Sequence, residues 1–136
     1  MNLILDDLPY ITPNGFEIST DFRNAIRFEI LMQDNTIEQQ LKMSLALNLF
    51  YEVIPSDVVL ALNDIVWFYT AIDEREVNNS KKIARKESIK EIYSFEYDSE
   101  YIFSAFLDQY NIDLNSIDYL HWWKFKALFK RTKRRL

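Results

Sequence analysis

The sequence predicts a mainly α-helical protein, a small helical bundle of about five helices with a short N-terminal β-hairpin. The chain has one glycine and three prolines in 136 residues, so it is poor in the residues on which turn-rich β-proteins depend. Apolar residues make up 49% of the chain, and in several segments they recur at the spacing of one helix face. A chain of this length fits one domain, and we predict a single helical domain over residues 1–136.

Four segments divide this domain. We predict a hairpin or arm over residues 1–19, a three-helix core over 20–73, a polar connector over 74–92, and C-terminal helices with a basic tail over 93–136. In the first segment, Pro13-Asn14-Gly15 is typical of a tight turn because Asn and Gly tolerate positive φ. We therefore expect residues 3–5 and 16–18 to pair as the hairpin.

Three capped helices are predicted in the core segment. Each begins after a side chain able to cap a helix: Thr20 for a helix ending near Asp34, Thr36 for residues 37–51, and Ser56 for residues 57 to about 72. The second helix is apolar on nearly all sides, which indicates a central position. The inward positions predicted from helical spacing are Ile37, Leu41, Leu45 and Leu49 on the second helix and Val58, Leu62, Ile65, Val66 and Tyr69 on the third.

The C-terminal segment contains two predicted helices. Asp98 or Ser99 caps the first of them, and a loop over residues 111–116 follows it. The last helix then runs from Ile117 to about Lys133. The apolar positions of the first helix are Tyr101, Ile102, Ala105 and Phe106.

Composition argues against most kinds of active site. Loops that cradle phosphate need several glycines, and thiol catalysis, disulfides and cysteine-ligated metals need cysteine, of which the chain has none. His121 is the only histidine, and the sequence places no set of metal ligands or catalytic partners beside it. We therefore predict no enzyme activity and no catalytic, cofactor-binding or metal-ligating residues.

The sequence also lacks signals for a membrane or an export pathway. It begins without a basic leader and contains no apolar run of about 18 residues. We therefore expect a cytoplasmic protein with no membrane partner and no small-molecule substrate.

The last helix is the strongest candidate for an interaction site. It carries more aromatic side chains than one helix of a small domain readily buries, and Trp and Phe are enriched in the centres of protein interfaces. Two interpretations stand together, namely core packing on the inward side and contact with a partner protein on the remainder. The residues of this predicted protein-interaction site are His121, Trp122, Trp123, Phe125 and Phe129.

Charge is divided unevenly along the chain. The formal charge is −12 over residues 1–120 and +7 over residues 121–136, within a net charge of −5. The basic end could contact phosphate groups, or it could be a solvated tail that suits the negative end of a helix. We favour the tail and do not expect nucleic acid as a partner. The residues of the phosphate alternative are Lys130, Arg131, Lys133, Arg134 and Arg135.

Four motifs lie in order over nearly the whole chain. They are Ile18-Ser-Thr-Asp-Phe-Arg-Asn-Ala-Ile-Arg-Phe-Glu, Phe50-Tyr-Glu-Val-Ile-Pro, Trp67-Phe-Tyr, and a stretch from Tyr110 to Phe129 that contains Leu120-His-Trp-Trp-Lys-Phe. Together they resemble the bacteriophage "gp fifteen" proteins of tailed phages and prophages of Gram-positive bacteria. The family pattern continues with a glycine soon after the position of Phe129, where this sequence has Lys130 to Leu136.

The resemblance implies a place in the tail-gene module, between the major tail protein and the tape-measure protein, as is usual for tail assembly chaperones. We therefore expect a non-enzymatic tail-morphogenesis protein, a chaperone that binds the tape-measure protein or another tail protein and that can also form a homo-oligomer. The alternatives are a nucleic-acid-binding accessory protein that uses the basic C-terminal helix, and a minor structural component of the tail.

Overall fold

The described part of the protein is built from α-helices. The computed structural model describes residues 4–74 and 98–132, with only the backbone described for residues 71–74. Within these ranges there are five helices and no β-sheet, which confirms the predicted mainly helical class. The helices are α1 (Phe22–Gln33), α2 (Gln39–Phe50), α3 (Val58–Glu74), α4 (Ser99–Tyr110) and α5 (Trp122–Arg131).

The predicted N-terminal hairpin is wrong. The turn at Gly15 forms, with φ of 84°, but only one isolated antiparallel bridge, between Ile11 and Glu17, flanks it. This register leaves residues 4 and 5 too far from the turn to face residues 16–18, and they are exposed, while residue 3 lies outside the described ranges. Pro9 and Pro13 explain the short pairing, because a proline has no N–H to donate to a strand partner.

Two helices begin at a different capping residue from the predicted one. Asp21, and not Thr20, caps α1 by accepting a hydrogen bond from the Arg23 N–H. Asp57, and not Ser56, accepts from the Leu60 N–H at the start of α3, at 3.1 Å. In each case an aspartate neighbours the predicted cap, and its carboxylate also suits the positive end of the helix dipole. The predicted end of α1 is confirmed, since Asp34 is its C-cap.

The second helix begins at Gln39, two residues after the predicted start. Thr36 does not cap it, because the backbone N–H and the hydroxyl of Thr36 both donate to the Asp34 carboxylate in the turn that follows α1. Glu38 occupies the N-cap position and makes no side-chain capping bond there.

Helices α2 and α3 are rotated relative to the predicted inward faces. Two aromatic rings, Phe50 and Phe68, lie between them with centroids 6.1 Å apart, and both are fully buried. Ala46 and Ala61 are also buried, and their small side chains let the helices approach closely. Ile65 and Tyr69 point inward as predicted. The predicted inward residues that are in fact exposed are Leu41, Leu45, Val58 and Val66.

The last helix starts five residues later than predicted, at Trp122. The preceding residues are held in extended form against the start of α1, where Asp21 and His121 form an antiparallel bridge. The Phe22 N–H donates to the Leu120 carbonyl and the Trp122 N–H donates to the Thr20 carbonyl, both at 2.8 Å. These long-range bonds use backbone groups that a helix from residue 117 would need for itself.

Helix α4 matches its prediction. Its buried residues are Ile102, Ala105 and Phe106, and its C-cap is Asn111, whose φ is 56°. The division into one domain with four segments stays a prediction, and residues 75–92 of the polar connector lie outside the described ranges. None of the described helices combines the length and the apolar character that a membrane span requires.

Candidate protein-interaction surface

His121 is a structural residue at the start of α5. Its Nδ1 accepts a hydrogen bond of 3.0 Å from the Trp123 backbone N–H, so the ring hydrogen lies on Nε2, which donates to the Pro9 carbonyl at 3.0 Å. Burial lowers the pKa of His121 and the nearby Lys124 charge lowers it further, against the raising effect of the Pro9 hydrogen bond. The imidazole is therefore held neutral, with both nitrogens engaged inside the fold.

Trp122 and Trp123 attach α5 to α3. The indole N–H of Trp123 donates to the Phe68 carbonyl at 2.8 Å, and that of Trp122 donates to the Tyr69 carbonyl at 3.1 Å. Lys126 donates to the same Tyr69 carbonyl at 2.8 Å. Both indoles are buried, so these bonds form in a low-dielectric surrounding where they fix the position of α5.

Phe125 lies at the centre of an aromatic stack. It is fully buried, and its ring centroid lies 5.2 Å from Phe22, 5.0 Å from Phe106 and 5.6 Å from Trp122. Phe129, half-buried, continues the stack at 6.1 Å. Core packing thus accounts for the five residues of the predicted interaction site. Their contact with a partner stays a prediction, and for the four buried residues it would require a partner to reach side chains that the fold covers.

The basic end of the chain is only partly described. Lys130 and Arg131 are exposed in the last turn of α5, where positive charge suits the negative end of the helix dipole. Lys133, Arg134 and Arg135 lie outside the described ranges. Their contact with phosphate stays a prediction.

A different set of apolar side chains, on α2, α3 and the connection between them, is exposed to solvent. We call it the α2–α3 face, and it consists of Leu41 and Leu45 on α2, Val53 and Ile54 in the connection, and Val58, Val59 and Val66 on α3. The exposed fractions reach 52% at Leu41, 68% at Val59 and 84% at Val53. Residues four or seven apart lie on one side of a helix, so Leu41 and Leu45 share one side of α2, and Val59 and Val66 share one side of α3.

The sequence contained a signal for this surface that the prediction did not use. A helix that is apolar on nearly all sides is expected to be buried on nearly all sides, but α2 contributes only one side to the core. In the described structure Ala46, Leu47 and Phe50 are buried whereas Leu41 and Leu45 are not. These exposed aliphatic side chains make the α2–α3 face a candidate contact surface.

A cleft lies beside the connection between α2 and α3. Its volume is about 470 Å³, and it separates the connection from the turn at Gly15. Two acidic residues, Glu17 and Glu52, line it together with Val53. The cleft therefore adjoins the α2–α3 face and has acidic walls.

A second cleft lies between α1, α4 and the loop that precedes α5. Its volume is about 500 Å³, and Phe125 of the predicted interaction site lines it. Ile26, Ile102 and Leu114 make it mainly apolar. Among the described residues, no three histidine, aspartate or glutamate side chains are grouped closely enough to hold a metal ion.

Comparison with known proteins identifies one family. The family model described as Bacteriophage Gp15 protein matches residues 4–134. Neither a curated protein nor a solved structure matches the chain significantly. The match covers almost the entire chain, as expected from the order of its motifs.

Proposed function

Because the chain belongs to the Bacteriophage Gp15 protein family, we propose that it is a non-enzymatic tail-assembly chaperone that binds the phage tape-measure protein in the host cytoplasm. The observation that carries this proposal is the α2–α3 face. It gives a phage protein an exposed apolar surface suited to another protein.

The chemistry of the partner supports the assignment. A tape-measure protein is long and helical, and apolar stripes on its helices would aggregate until tail-tube subunits cover them. Two adjacent helices with outward aliphatic residues can receive an amphipathic helix by packing side chains into the groove between them. Leu45 on α2 and Val59 on α3 would lie on the two sides of such a groove.

The environment of His121 supports a function without catalysis. A general base needs a nitrogen that can reach the substrate proton. In His121, Nδ1 is occupied by the Trp123 N–H and Nε2 by the Pro9 carbonyl. Catalysis at this residue would require the start of α5 to come apart.

The test is co-expression with the tape-measure protein of the same phage or prophage. We expect the wild-type chain to keep the tape-measure protein in the soluble fraction and to be recovered with it. The variant Leu41→Gln/Val59→Gln replaces two exposed aliphatic side chains, so it should fold with a stability change within about 0.5 kcal/mol. It should leave most of the tape-measure protein insoluble.

Leu107→Gln on α4 is the matched control, because Leu107 is 43% exposed but lies outside the α2–α3 face. It should behave as wild type. A tape-measure protein that is equally insoluble with and without the wild-type chain would refute the chaperone function. Recovery of the chain in purified virions would instead favour a structural component of the tail.

A further inference from the structure

The residues of the α2–α3 face are flanked along the chain by charge of one sign. From residue 28 to residue 74 the sequence contains a single basic residue, Lys42. Exposed acidic side chains occur at the start of α2, in the connection and at the start of α3. They are Glu38, Glu52 and Asp57. In the described part of this region, no exposed basic side chain accompanies them.

Lys42 does not offset this charge at the surface. Only 7% of the residue is exposed, and its Nζ donates to the Met32 carbonyl at the end of α1, at 3.2 Å. Its side chain therefore points from α2 towards α1 and is buried there. A partner on the α2–α3 face would therefore meet aliphatic side chains whose neighbours in the chain include the exposed acids Glu38, Glu52 and Asp57.

We propose that the α2–α3 face binds an amphipathic helix of a partner protein whose apolar stripe is flanked by Lys or Arg, a proposal that deepens the chaperone function and rests on it. The aliphatic residues receive the stripe. Glu52 and Asp57 pair with the flanking cations, and the cleft lined by Glu17 and Glu52 admits the end of a long basic side chain.

Charge complementarity selects this occupant over a second copy of the same face. A symmetric dimer places the same surface of both copies in contact, so the acidic groups of one face would be brought near the acidic groups of the other. Like charges brought together at an interface oppose association. A basic partner is instead attracted by the same acidic groups.

The test uses two synthetic amphipathic helices of about 21 residues. Both carry the same leucine stripe, flanked by Lys in one peptide and by Glu in its twin, and their affinity is measured by fluorescence anisotropy at low and high salt. We expect the wild-type chain to bind the Lys peptide at least about tenfold more tightly than the Glu peptide at low salt, with the difference shrinking as salt screens it.

Glu52→Gln/Asp57→Asn removes two acidic charges with little change of shape, and Asn at position 57 can still cap α3. It should weaken binding of the Lys peptide about three- to tenfold and should not weaken binding of the Glu peptide. Glu52→Gln alone gives the same test without touching the cap, with a smaller effect. Leu41→Gln/Val59→Gln should weaken binding of both peptides, because it removes the apolar contact that they share.

Equal binding of both peptides by the wild-type chain, or equal weakening of both by Glu52→Gln/Asp57→Asn, would overturn the proposal. So would a wild-type chain that binds neither peptide and sediments as a dimer that Leu41→Gln/Val59→Gln dissociates, since the occupant would then be a second copy.

Charge selection between the peptides without rescue of the tape-measure protein would refute only the chaperone function. Rescue of the tape-measure protein by the charge-neutralised variant, with no selection between the two peptides, would refute only the basic-helix proposal.

Discussion

His121 joins residues that are far apart in the chain. Its two nitrogens bond to the Pro9 carbonyl and the Trp123 N–H, and its ring lies 5.5 Å from that of Phe68 on α3. Only the neutral imidazole can accept from the Trp123 N–H while donating to Pro9. The protonation state of one side chain is therefore coupled to the attachment of α5.

This coupling predicts that the protein loses stability on acidification. Burial lowers the folded-state pKa of His121 below its ordinary 6.5, so the unfolded chain binds this proton more readily. The stability that neutral His121 contributes is fully present above the unfolded-state pKa, and it is lost as pH falls towards the folded-state pKa. We expect the free energy of unfolding, measured by urea denaturation, to decrease between about pH 8 and about pH 5.5.

His121→Asn is the matched variant, because an asparagine side chain can still accept from the Trp123 N–H but does not titrate. Its stability should start lower, since the bond to Pro9 is lost, and should change less with pH in this window. Parallel pH curves for the two proteins would show that other groups cause the pH dependence.

Tyr51 gives a second prediction for a single side chain. Its hydroxyl donates to the Ala61 carbonyl at 2.7 Å, and burial together with the Asp64 charge raises its pKa to about 12. Tyr51→Phe should lower the free energy of unfolding by about 1 kcal/mol at neutral pH, the usual contribution of one buried hydrogen bond. Tyr10→Phe, at a residue that is 61% exposed, should change it by less than about 0.5 kcal/mol.

Helix ends were predictable where the signal is local. Asp34 lies at the end of α1 and Asp98 at the start of α4, as polar residues between apolar repeats indicate. The start of α5 was not predictable in this way, because its extended approach depends on the bridge between His121 and Asp21, a hundred residues earlier. The prediction of the inward faces of α2 and α3 failed for a related reason. A helix that is apolar on nearly all sides does not specify which side points to the core.

The end of α4 offers a test of backbone strain. Asn111 takes a left-handed conformation with φ of 56°, and its N–H donates back to the Leu107 and Phe106 carbonyls. Asn tolerates this conformation better than Ala, and Gly adopts it freely. Asn111→Ala should therefore cost about 1 kcal/mol of stability, whereas Asn111→Gly should cost less than about 0.5 kcal/mol. Thermal unfolding of the two variants measures the difference, and equal losses would assign the role of Asn111 to its side chain.

At the scale of the molecule, the core and the α2–α3 face involve different aromatic and aliphatic residues. Trp122, Trp123 and Phe125 hold α5 against α1, α3 and α4, so their aromatic content reflects folding. The sequence identified these residues but could not show on which side of α5 the rest of the core lay. The sequence did not predict that the aliphatic residues of the α2–α3 face are exposed, because leucine and valine at helical spacing usually lie in the core.

The charge of the whole chain predicts how copies of it interact. At low salt the acidic groups around Glu52 and Asp57 should keep the α2–α3 faces of two copies apart, while the apolar side chains favour contact. Salt screens the repulsion over about 10 Å at 0.1 M and less at higher concentration. Sedimentation velocity should therefore show a monomer at low salt, and self-association that grows with sodium sulfate, which also strengthens apolar burial.

Leu41→Gln/Val59→Gln should remain monomeric throughout. Association that is strongest at low salt would contradict this prediction, and would indicate that the basic C-terminal residues of one copy bind the acidic face of another.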